Sequence, residues 1–233
     1  MLIGGWEKST LLDYPGKIAA TVFTSGCNFK CPFCQNPELV DLKMIARHPR
    51  IKEKILFDFL KSRKGLLDGV CLTGGEPTIQ PDLIDFVGKI KKMDFLVKLD
   101  TNGSRPGILE KLYEEKLLDF VAMDIKTSLD RYSEATNREI DTGDIKKSVD
   151  LIKNSGVEYE FRTTVAPGLV DEQEMEQIGR WLKGAKRFVL QQFRTEKTLD
   201  LSYQKLTPYS NEKIKELSQI AQPYFGKVEI RGL

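Results

Sequence analysis

Six short apolar runs, each followed by a stretch with helical spacing, constrain the fold of this chain more than any other feature. The runs occupy residues 18–24, 68–73, 95–100, 120–124, 159–165 and 187–192 and are rich in Val, Ile, Leu and Phe. Between them, apolar residues recur every three or four positions. Ile51, Ile55, Leu56, Phe59 and Leu60 form one such stripe, Leu83, Phe86, Val87 and Ile90 a second, and Ile145, Val149 and Ile152 a third. Strands alternating with helices in this way predict a parallel sheet with right-handed crossovers. Six units fall short of the eight that close a full barrel. The expected fold is therefore α/β, a single-domain incomplete (β/α)6 barrel. Residues 1–16 read as an N-terminal extension, 17–200 as the partial barrel, and 201–233 as a C-terminal helix with one more possible strand at 228–230. No linker interrupts the rhythm.

The unusual residues gather where the strands end. Cys27 follows the first run, Gly74-Gly75-Glu76-Pro77 the second and Asp100-Thr101-Asn102-Gly103 the third. Asp124 and Lys126 end the fourth, Arg162 lies in the fifth, and Gln191-Gln192 close the sixth. In parallel α/β folds the carboxyl ends of the strands form the active face. Chemistry is thus expected on one rim.

Cys27, Cys31 and Cys34 give a C-x3-C-x2-C spacing within one loop. Soft thiolates so close together suit a metal or an iron–sulfur cluster. Cys71 is the only other cysteine and sits inside an apolar strand, where it reads as a small hydrophobe. If the three loop cysteines hold four irons, one iron lacks a protein ligand, and an open position binds something from outside. The competing reading is a closed zinc site with His48, the single histidine, as fourth ligand. That reading leaves the glycines and carboxylates of the other strand ends without a use.

Gly74 and Gly75 let backbone approach a ligand, and Glu76 adds an acceptor, a combination suited to an ammonium group. Asn102-Gly103 is either a turn dipeptide or a sugar-binding element. Asp100 and Asp124 end neighbouring strands, and two adjacent carboxylates need a cation, from Lys126 or from a metal ion. Arg162 should pair with an anion, because an unpaired buried guanidinium is costly. Phe33 is either core or a platform for a flat ligand. The charged runs at 89–92 and 172–176 read as solvated helix faces.

Lys and Arg total 36 against 34 Asp and Glu, a net charge of +2, which argues against a dedicated nucleic-acid binder. Neither a basic leader with an apolar core nor a membrane-length apolar run is visible. A cytoplasmic protein with reduced thiols is expected.

The motif C-x3-C-x-aromatic-C at 27–34, followed by Gly-Gly-Glu-Pro at 74–77, resembles the radical S-adenosylmethionine (SAM) superfamily. Asp13-Tyr-Pro-Gly16, the stretch from Val22 to Cys27, and Cys34-Gln-Asn36-Pro37 resemble its glycyl-radical-enzyme activases. So do Asp100 to Gly103, Asp124-Ile-Lys126, and Phe161 to Gly168. The resemblance implies a [4Fe–4S] cluster held by Cys27, Cys31 and Cys34, with SAM chelating the fourth iron. It implies that Gly74, Gly75 and Glu76 receive the methionyl ammonium. Asn102, Lys126 and Arg162 would serve the ribose and carboxylate, with Phe33 beside the adenine. Asp100 and Asp124 would hold a monovalent cation. Reductive cleavage of SAM would then give a 5′-deoxyadenosyl radical that takes hydrogen from a glycine of a partner enzyme. An open barrel side would admit the partner's loop.

The chain has cysteines for one cluster only. The stretch Gln191-Gln-Phe-Arg-Thr195 lacks the nucleoside-contacting histidine of pyruvate formate-lyase activases. Activation of anaerobic ribonucleoside-triphosphate reductase is therefore expected first and of pyruvate formate-lyase second. The electron donor would be a flavodoxin or ferredoxin. A radical enzyme acting on a small molecule such as a deazaguanine precursor, and a zinc or electron-transfer protein, are the other classes.

Overall fold

The computed structural model describes residues 1–47 and 50–233. One eight-stranded sheet organises them, with the strands in sequence order. They are β1 (Ile3–Thr10), β2 (Ala19–Thr24), β3 (Gly69–Gly74), β4 (Leu96–Thr101), β5 (Phe120–Asp124), β6 (Glu158–Val165), β7 (Arg187–Gln192) and β8 (Lys227–Arg231). From β2 to β8 all neighbours pair in parallel. β1 pairs antiparallel with β2. β1 and β8 remain the two edges, so the barrel is incomplete and open, as the rhythm predicts.

The helices are α1 (Pro37–Val40), α2 (Leu42–Arg47), α3 (Glu53–Ser62), α4 (Leu83–Lys91), α5 (Pro106–Glu114), α6 (Tyr132–Thr136), α7 (Thr142–Asn154), α8 (Glu172–Leu182) and α9 (Asn211–Ala221). Their apolar stripes cover the outer face of the sheet. Leu83, Phe86, Val87 and Ile90 of α4, with Ile145, Val149 and Ile152 of α7, pack in one core with Val70, Leu72, Val97, Leu99 and Val121. Alternation along each strand sends the intervening residues to the inner face. There a small apolar cluster of Tyr14, Ala19, Phe120 and Ala122 plugs the barrel beneath a layer of charge. That layer comprises Lys98, Asp100, Asp124, Glu160 and Arg162.

Two expectations change. The N-terminal extension contains a strand, β1, whose Ile3-Gly-Gly-Trp-Glu-Lys-Ser-Thr sequence is half solvated and carries two register shifts. Its two glycines and exposed polar residues hide the strand pattern. In α3 the buried stripe is Leu56 and Leu60, whereas Ile55 is 55% exposed and Ile51 bridges to Ile3 before the helix begins. Among the described residues no helix is long and apolar enough to cross a membrane.

Candidate active site

A cavity of about 170 Å³ opens at the carboxyl ends of the strands. It brings together Cys27, Cys31, Cys34, Phe33, Gly74, Gly75, Glu76, Asp100, Asn102, Asp124 and Lys126, which were separate motifs in the sequence. Arg162 reaches the same place from β6 by bonding to both aspartates.

The cysteine loop leaves β2 through Gly26, whose φ of +101° is a conformation that glycine adopts freely. The Gly26 N–H donates to the Leu39 carbonyl at 2.7 Å, and the Lys30 N–H to that of Thr136 at 2.8 Å. The loop is thus fastened to α1 and α6. Phe29 is buried beneath it. Cys27 Sγ accepts from the Phe29 N–H at 3.4 Å and lies 3.9 Å from Asn102 Nδ2. Burial pushes the Cys27 thiol up to about 12 and that of Cys31 to about 11. It also raises Cys34. Three soft donors on one cavity wall fit a thiophilic metal group, whose binding displaces their protons. Among the described residues no three His, Cys, Asp or Glu side chains converge as ligands of a single ion do. His48 lies outside the described residues. Cys71 is buried on the inner face of β3 and does not line the cavity. Its sulfur faces Lys98 Nζ at 3.7 Å and Asp100 at 3.8 Å, a more polar setting than its apolar strand suggests.

The Gly-Gly-Glu-Pro turn has a packing role that the sequence did not reveal. A Cβ on Gly75 would stand 2.0 Å from the Gly26 carbonyl oxygen, and one on Gly74 2.4 Å from the Thr24 nitrogen. The glycines therefore allow the β2 and β3 ends to touch. The N–H groups of Gly75 and Glu76 donate across this contact to Thr24 and Gly26, both at 2.8 Å. Glu76 is 1% exposed. Its Oε1 accepts from Thr78 N at 3.0 Å, Thr78 Oγ1 at 2.5 Å and Thr101 Oγ1 at 2.7 Å, and its Oε2 from Asn102 N at 2.7 Å. Burial raises its carboxyl, while these donors favour the ionised form.

Asn102 is similarly engaged. Its Oδ1 accepts from Ser104 N at 2.9 Å, and its Nδ2 donates to Asn28 Oδ1 at 3.0 Å. Asn28 in turn donates to Ser104 Oγ at 2.8 Å. This network ties the β4 end to the cysteine loop. Phe33 is buried in the cavity wall. Gln35, Asn36, Thr73, Thr101 and Thr164 also line the cavity; they lie in or beside the sequence motifs but were given no site role from sequence. Strand alternation could have found Thr164, two residues beyond Arg162, and likewise Lys98, two before Asp100.

The family model of the radical SAM superfamily matches residues 21–182. A Methanocaldococcus jannaschii protein with the provisional name glycyl-radical enzyme activating enzyme is 36% identical over 100% of this chain and 96% of its own length. The pyruvate formate-lyase-activating enzyme of Clostridium pasteurianum is 30% identical over 72% of this chain and 70% of its own. Among solved structures, Streptococcus suis SuiB bound to precursor peptide SuiA superposes with a TM-score of 0.70 at 15% identity. The match covers 91% of this chain but only 48% of SuiB, so the chain spans about half of that protein. A domain of the pyruvate-formate lyase-activating enzyme from Bacteroides vulgatus gives a TM-score of 0.57 at 20% identity, covering 70% of this chain and 99% of that domain. At these identities the structures bear on the fold alone.

Proposed function

The chain belongs to the radical SAM superfamily, and from that premise we propose that it is a glycyl-radical-enzyme activating enzyme with Cys27, Cys31 and Cys34 as its cluster ligands. One observation carries the reading. The cavity offers three thiols from one loop, and the fourth cysteine, Cys71, is walled off beneath it. Cys27, Cys31 and Cys34 would hold a four-iron cluster there, and SAM would take the place that a fourth cysteine would fill. When bound, the cluster would supply the one-electron chemistry that cleaves SAM reductively and so lets hydrogen be taken from a partner's glycine.

The chain's own residues bind, orient and exclude water. Gly74 and Gly75 bring main-chain carbonyls to the methionyl ammonium, with Glu76 behind them as a brace. Lys126 and Arg162 present positive charge to the carboxylate. Asn102 is shared between the nucleoside side and the cysteine loop, and Phe33 flanks the adenine. Burial of the loop cysteines keeps solvent from the reacting centre. The open edge between β8 and β1 gives a partner's glycine loop a way to the cavity.

The proposed target is anaerobic ribonucleoside-triphosphate reductase, supported by the lack of histidine in Gln191 to Thr195 and by cysteines for a single cluster. The proposed reductant is a flavodoxin or ferredoxin. The test is anaerobic incubation of the reconstituted, reduced protein with SAM and each candidate partner, followed by EPR. A glycyl doublet on the reductase is the expected result, and Cys31→Ala should lose both cluster iron and the doublet. A doublet on pyruvate formate-lyase alone would reassign the target. SAM cleavage by Cys31→Ala would overturn the cluster assignment.

A further inference from the structure

Asp100 and Asp124 end neighbouring strands in the wall of the cavity, where two adjacent carboxylates must be neutralised. The family resemblance puts a monovalent metal ion there. The structure offers all four carboxylate oxygens to groups of the protein instead. Asp100 Oδ1 takes the Lys98 ammonium, and its Oδ2 takes Arg162 Nη1 at 3.0 Å. Asp124 Oδ1 takes Arg162 Nε at 2.9 Å, and its Oδ2 takes Lys126 Nζ at 3.2 Å. A metal ion in this place would stand against the Lys98, Arg162 and Lys126 cations that already face those oxygens, so these residues do not fit the ion.

Lys98 is the unusual member. It is 1% exposed, and its β4 register sets it between Cys71 and Phe120. Its ammonium lies 3.7 Å from Cys71 Sγ and 5.9 Å from the centre of the Phe120 ring. Lysines are almost never this buried without a paired charge. Lys98 precedes Asp100 by two residues and so shares its face of the sheet, which leaves Asp100 as its counter-charge. Together Lys98, Lys126 and Arg162 set three positive charges against two carboxylates. With Glu160 paired to Arg231, Lys98, Lys126 and Arg162 leave no uncompensated negative charge between Asp100 and Asp124 to attract a further cation. Burial acts to raise both carboxyls, yet Arg162 and the lysines hold Asp124 at about 2 and Asp100 below its ordinary range.

We propose that this chain carries its counter-ion within the fold: Lys98, with Arg162, stands where a monovalent metal ion would otherwise bridge Asp100 and Asp124, and SAM binding needs no added cation. The inference rests on the proposed function only for the identity of that ligand.

The test uses cluster-loaded protein in potassium, sodium and tetramethylammonium chloride at one ionic strength. SAM affinity is measured in each salt, and thallous-ion binding is followed separately by thallium NMR without SAM. Wild-type affinity should agree within about twofold across the salts, with no thallous ion bound. Lys98→Met should bind thallous ion and lose at least about tenfold in SAM affinity when potassium is replaced by tetramethylammonium. Lys98→Arg should stay salt-independent. A tenfold potassium requirement in the wild type, or thallous-ion binding to it, overturns the proposal. A folded Lys98→Met that ignores potassium overturns the role of Lys98. If Lys98→Met does not fold, the wild-type arms and Lys98→Arg still decide. If the wild type binds no SAM in any salt, the proposed function fails, while the thallous-ion arm still judges the counter-ion.

Discussion

Glu76 is legible in the sequence as a residue but not as an interaction. Gly-Gly-Glu-Pro marks a functional turn, and the carboxylate reads as an acceptor aimed at a ligand. In the fold its oxygens serve Thr78, Thr101 and Asn102. Removing it strands buried donors, each of which costs about 1–3 kcal/mol. Glu76→Ala should therefore lose roughly 3 kcal/mol of stability in urea unfolding, and Glu76→Gln should lose less because it keeps one acceptor. If Glu76→Ala unfolds like the wild type, the brace is not structural. The glycines teach the same lesson. Their presence is plain in the sequence, but the Gly26 carbonyl that forbids a Cβ on Gly75 lies on another strand end.

At the scale of elements, the interior strands were visible because both faces are buried and the residues run apolar almost without a break. The edges were harder. β1 carries glycines and solvated polar residues, and β8 is one exposed and four half-buried residues. β8 is held by more than its ladder with β7. Arg231 donates from both guanidinium nitrogens to Glu160 at 2.8 and 2.7 Å, and Glu160 is fully buried. Arg231 is half-buried, and deleting it would leave the buried Glu160 carboxylate with Arg187 alone, at 3.9 Å. Arg231→Ala should cost roughly 3 kcal/mol and speed amide exchange in β8 before the rest of the sheet. Uniform acceleration through β2 to β7 would show that the pair does not act on the edge.

For the whole molecule, the charge layer inside the barrel couples stability to pH. Asp124 is held at about 2, below the 3.8 of an ordinary aspartate, by Arg162 and Lys126 against the opposing effect of burial. A carboxyl lowered by folding stabilises above its unfolded value, and that stability is lost as pH falls through the folded one. Asp124 should thus contribute on the order of 2 kcal/mol at neutral pH, lost between about pH 4 and pH 2. Circular dichroism across that window should show the wild type losing stability steeply. Asp124→Asn should start lower at pH 7 and fall less. An equal slope in both proteins would show that Asp124 does not carry the linkage.

The sequence by itself determined the α/β class, the incomplete barrel and the rim where the three loop cysteines and the other motifs meet. These follow from local patterns: hydrophobic period, turn residues and the spacing of thiols within one loop. Only the tertiary structure decided which polar groups are already in use. Arg162 reaches Asp100 across 62 residues and Asp124 across 38, and Glu76 reaches Asn102 across 26. Alternation tells which face of a strand a side chain takes. Only the register between strands tells which side chains meet there, and register is set by pairing and packing across the sheet.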